Sequence, residues 1–151
     1  MGVEAMERQL ENAHVALREL EQEREGLASF MTQVANGRAE FEGQLARKRN
    51  VAQRMRLVPN AKLAQGIAGL IDSRLDNGFS GGIEGCFDGV AREGQRAIAQ
   101  VEQEIQRTRA TIASLEDNIV AERRRIAEEE RRRAEEAARA AAEAAQAARQ
   151  V

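Results

Sequence analysis

The feature that most constrains this chain is a mostly apolar register that holds one phase from Met6 to Met55. Alternating steps of four and three residues land on Met6, Leu10, Ala13, Leu17, Leu20, Arg24, Leu27, Met31, Val34, Arg38, Phe41, Leu45, Lys48, Ala52 and Met55. Arg24, Arg38 and Lys48 alone depart from it, and long cations can lay their aliphatic stems along such a seam. A repeat of this period buries one stripe of a helix, so the spacing predicts a helix over about residues 4–57, about 80 Å long at about 1.5 Å per residue. Gly26, Gly37 and Gly43 weaken it locally.

The helix has a defined end. Pro59 is the single proline; it removes a backbone donor and biases Val58 away from the helical region. Asn60 then suits the cap of a short helix over 61–76, whose apolar positions are Leu63, Ile67, Leu70, Ile71 and Leu75. Asn77-Gly78 suits its C-terminal end. After the glycine-rich turn Asn77-Gly78-Phe79-Ser80-Gly81-Gly82, Ser80 is a candidate N-cap, with Glu84 near the positive end of the helix dipole. The same period resumes through Phe87, Ala91, Gly94, Ile98, Val101, Ile105, Thr108, Ile112, Leu115, Ile119, Glu122 and Ile126. Two seams of comparable length separated by a turn region match end to end if the helices run antiparallel. The expected fold is all-α: an elongated antiparallel, coiled-coil-like helical hairpin over 1–126, with a short extra helix at the turn. Residues 127–151, blocks of Glu and Arg followed by alanines, form a C-terminal extension that is helical or disordered. It is either a solvated extension supported by i, i+4 charge pairs or a tail that docks on a partner or is read by a secretion machine.

Composition narrows the function. Trp and Tyr are absent and four phenylalanines are the whole aromatic content, which does not suit a thick globular core. The net charge of −2 supplies no field to recruit nucleic acid. Arg123–Arg125 and Arg131–Arg133 are interleaved with carboxylates and lack an aromatic platform for bases. His14, the sole histidine, lies beside the seam with no Ser or Cys motif, and reads as a solvated or packing residue. Cys86, the sole cysteine, reads as a small packing residue and permits no internal disulfide. No phosphate-binding loop is present. The expectation is a protein that is not an enzyme and uses no cofactor and no metal. The opening MGVEAMERQLENAH has no apolar core for a signal peptide, and no stretch of about 18 apolar residues exists to insert in a membrane.

One local stretch is more specific. Phe79-Ser80-Gly81 opens a helix, and Phe87 follows about two helical turns later. This resembles the WXG superfamily of small type VII secretion proteins, in which Trp-x-Gly forms the turn of a helical hairpin and a further aromatic follows. The layout looks most like the accessory proteins associated with LXG-domain toxins, which have longer helices. The resemblance covers about residues 4–126 and implies that Phe79 takes the tryptophan position, Gly81 the glycine position, and Phe87 the following aromatic. Three departures stand: Phe79 replaces tryptophan, the helix at 61–76 enlarges the turn, and no Phe has Asp or Glu four residues on, so the family's export signal is missing. The resemblance implies an accessory or targeting factor that binds the helical N-terminal domain of an LXG-type effector, or another small hairpin. Such a chain is cytoplasmic at synthesis, or co-secreted with its partner by a route independent of a signal peptide. Ala16, Phe30, Val51 and Val58 recur at one heptad position beside the seam. They pack against the short helix or form the partner interface. The competing expectation is a self-associating coiled-coil scaffold, such as a homodimer, with no secretion role.

Overall fold

The computed structural model describes residues 2–59, 62–76 and 80–150. The described chain is all-α: α1 (Val3–Arg56), α2 (Lys62–Arg74) and α3 (Ser80–Arg149). α1 ends where Pro59 requires it. The Leu57 and Val58 amides tighten onto the Arg54 and Met55 carbonyls at 3.2 and 3.3 Å, the i→i−3 bonds that close a last turn. α2 finishes in a wider π-type turn at Leu75–Asp76. The expected caps at Asn60 and Asn77-Gly78, and Phe79 itself, lie outside the described residues.

α3 runs far beyond the end of its seam at Ile126, as one helix to Arg149. Residues 127–149 are exposed except for the half-buried Glu129. Good helix formers and local ion pairs hold this stretch helical without a packed face. Glu129 accepts from Arg125 at 3.2 Å and from Arg133 at 2.6 Å, and Arg132 lies 3.9 Å from Glu136.

The chain divides into two compact units, Met1–Leu20 with Glu104–Val151, and Glu21–Gln103. In the first, Met6, Ile105, Ile112 and Ile119 are buried, and Leu10, Ala13, Leu17, Leu20, Thr108, Leu115 and Glu122 are half-buried. Ile105, 1% exposed, is the largest fully buried side chain. Glu7 pairs with Arg123 across the two helices.

In the second unit Leu45, Ala52, Ala68, Leu75 and Val101 form the buried core. Contacts between α1 and α3 descend along α3 as they ascend α1. Met31 faces Gly94 and Gly37 faces Phe87, while the Phe41 and Phe87 rings lie 6.0 Å apart, tilted at 45°. Arg38 donates to Asp88 at 2.7 Å and to Glu42 at 3.3 Å. The bond to Asp88, more than that to Glu42, holds its guanidinium above the ordinary arginine range. Arg24 and Arg38 are half-buried as seam cations, but Lys48 is exposed.

Candidate protein-interaction site

The short helix leaves much of its apolar surface uncovered. Of its five large apolar positions, only Leu75 is buried and Ile71 half-buried. Leu63 is 79% and Leu70 62% exposed, and Ile67 is exposed as well. The fully buried residue of α2 is Ala68. Ala68 and Leu75 are the side chains of this segment that are buried, and two ion pairs join the same side to α1. Arg56 pairs with Asp72, and Arg49 donates to Asp76 at 3.1 Å. Both pairs are solvent-accessible and accompany this packing more than they drive it. At about 100° per residue, the apolar arc from Leu70 to Ala68 spans about 160°, which is wider than one neighbouring helix covers.

On the Ile71 and Leu75 side of α2 lies a cleft of about 740 Å³ lined by Arg47, Lys48, Val51, Ile71, Arg74 and Leu75. Its floor is apolar and its rim cationic. Val51, at 51% exposure, and Val58 are exposed as well. With Leu57, Leu63, Ile67 and Leu70 they concentrate six exposed large aliphatics between residues 51 and 70, a density of the kind found at interaction surfaces.

The other singled-out residues distribute as follows. Phe30 is exposed on α1. Ala16 is half-buried in the first unit. Gly81 sits in the first turn of α3, where an added Cβ would meet no atom within 4 Å. Phe87 is half-buried against Phe41. Cys86, expected as a packing residue, is exposed, beside a shallow apolar indentation it shares with Val34, Ile83, Phe87 and Val90. His14 is half-buried.

Sequence reasoning missed Leu63, Ile67 and Leu70 as surface residues, and missed the rim cations altogether. A signal for the rim was present: residues 47–76 hold seven basic and two acidic side chains, a local charge of +5 in a chain whose net charge is −2. Among the described residues, no cluster of His, Cys, Asp and Glu is arranged to hold a metal ion. No helix among the described residues is long and apolar enough to cross a membrane. Set against known proteins, the chain matches no family model, no curated sequence and no solved structure.

Proposed function

We propose that this chain is a non-enzymatic accessory or targeting partner, an antiparallel helical hairpin that packs side by side with the helical N-terminal domain of an LXG-type effector for type VII secretion. The observation that carries the partner-binding part is the exposed aliphatic surface of α2 and the α1 terminus, Leu63, Ile67, Leu70, Val51 and Val58. Apolar surface left in water on a helix with a covered side is stabilised by a second protein. The antiparallel arrangement is supported locally in the second unit, where Met31 faces Gly94 and Phe41 faces Phe87. The secretion context rests on the Phe79-Ser80-Gly81 resemblance, with Phe87 following.

The test is the solution mass of the purified chain by light scattering, alone and mixed with an LXG-type N-terminal domain. A monomer or weak dimer that converts to a defined heteromeric complex supports the reading. A tight homo-oligomer that ignores the effector domain refutes it in favour of a self-associating scaffold.

A further inference from the structure

We infer that the cleft between α1 and α2 receives an acidic amphipathic helix, whose apolar ridge seats on Val51, Ile71 and the exposed α2 aliphatics while its carboxylates meet the cationic rim. This rests on the partner-binding reading and specifies where the partner docks and what chemistry it carries.

Charge carries the first part of the inference. Both carboxylates between residues 47 and 76 are already engaged, Asp72 by Arg56 and Asp76 by Arg49. Arg47, Lys48, Arg54, Lys62 and Arg74 are left, and among the described residues none of them has an acidic partner. The arrangement is ordered along the chain. On α1, Arg47, Val51 and Arg54 share one face at i, i+4, i+7, and on α2 Lys62 and Arg74 bracket Leu63, Ile67 and Leu70. An apolar strip framed by unpaired cations is complementary to a helix with an apolar strip framed by Asp and Glu.

Shape carries the second part. The floor is a concave space of about 740 Å³ between two helices, which accommodates the side-chain ridge of a third helix. A bilayer is flat and is met by a convex amphipathic face rich in Trp, Phe and Leu; among the described residues no aromatic lines this cleft. A second copy of the chain placed here with two-fold symmetry would bring the Arg47, Lys48 and Arg74 cations of two identical clefts together, and like charges at that range repel.

The proposal is tested on the full chain with a labelled amphipathic peptide of about 18 residues, about five helical turns, carrying leucine on one face and glutamate elsewhere. Controls are its twin with lysine for glutamate and vesicles of phosphatidylglycerol. Fluorescence anisotropy is expected to show the glutamate peptide binding about tenfold more tightly than the lysine twin, because like charges at the rim oppose docking. Its affinity falls as salt rises, and methyl signals of Leu63, Ile67 and Leu70 shift on binding. Leu63→Gln with Leu70→Gln, two exposed positions given a good helix former, is expected to weaken binding by at least about tenfold with helicity unchanged by circular dichroism. Arg47→Glu with Arg74→Glu is expected to reverse the preference toward the lysine peptide. Equal binding of the two peptides, shifts confined to other residues, binding to the vesicles alone, or self-association abolished by the glutamine variant would each overturn the inference. If the glutamine variant still forms the effector-domain complex seen with the wild type, the docking site is wrong and the partner reading stands. If the wild type forms no such complex, the partner reading itself falls.

Discussion

Gly94→Ala is the perturbation on which two opposed effects can be separated. Gly94 is buried on α3 against Met31 of α1. An added Cβ would overlap the Met31 Sδ, with Cγ at 3.3 Å and Cε at 3.4 Å. Replacing glycine by alanine inside a helix contributes about 1 kcal/mol of propensity. Forcing a methyl group into a filled site costs about 1–3 kcal/mol. Met31 is half-buried and has three rotatable side-chain bonds, so it can swing its thioether away, and a cost of about 2 kcal/mol is expected. The net expectation is destabilisation by about 1 kcal/mol. Gly26→Ala is the control in the same unit, since its Cβ would meet nothing within 4 Å. It should stabilise by up to about 1 kcal/mol through propensity alone.

The assay is urea unfolding followed by circular dichroism, comparing midpoints at constant m. In a Met31→Ala background the obstacle is gone and Gly94→Ala should stabilise, giving a coupling energy of about 2 kcal/mol in the double-mutant cycle. If Gly94→Ala stabilises as much as Gly26→Ala, or the coupling is below about 0.5 kcal/mol, then the close approach of α1 and α3 at this point is not a packing constraint and the reasoning fails.

Three further outcomes are expected. Ile105→Ala should lower unfolding stability by about 2–5 kcal/mol, because Ile105 is only 1% exposed; a loss under about 1 kcal/mol by urea titration would show that its site collapses or was never tightly packed. Phe87→Ala should cost about 2–3 kcal/mol, below the range of a fully buried ring because Phe87 is half-buried. A cycle with Phe41→Ala should recover a coupling of about 0.5–1.5 kcal/mol, and its absence would remove the ring pair as a stabilising contact. The hydrogen bonds that Arg125 donates to Glu122 at 3.0 and 2.6 Å hold the Glu122 carboxyl below the usual carboxylate range. A depressed folded value means that its contribution is present above the unfolded value of about 4.3 and is lost as pH falls through the folded value. Thermal melts should therefore show Glu122→Gln less stable than wild type at about pH 7, with the difference closing in strong acid; a difference independent of pH would refute the linkage.

Much of the local structure was legible in the residues. Helix ends depend on near neighbours, and Pro59 stops α1 close to where its restricted backbone predicts. The seam is a local periodic property too. Every seam position of α3 from Phe87 to Glu122 is buried or half-buried, and on α1 Lys48 alone is exposed among them. Val51 and Phe30 were legible as flanking positions and are exposed, though nothing local distinguished packing on α2 from an open face. The helical continuation past Ile126 was left open because a hydrophobic period locates packing, while helix persistence there follows from propensity and ion pairs such as Glu129 with Arg133.

By itself, then, the sequence determined that the chain is helical, where α1 stops, and which stripe of the long helices is covered. Those outcomes follow from propensity and periodicity, which act within a few residues. Only the tertiary structure decided which side of α2 faces inward. Its apolar arc is wider than one neighbour can bury, so only the Ala68 and Leu75 side is covered, the side that Arg49 and Arg56, distant in sequence, also reach through Asp76 and Asp72. Leu63, Ile67 and Leu70 are left in solvent as the consequence.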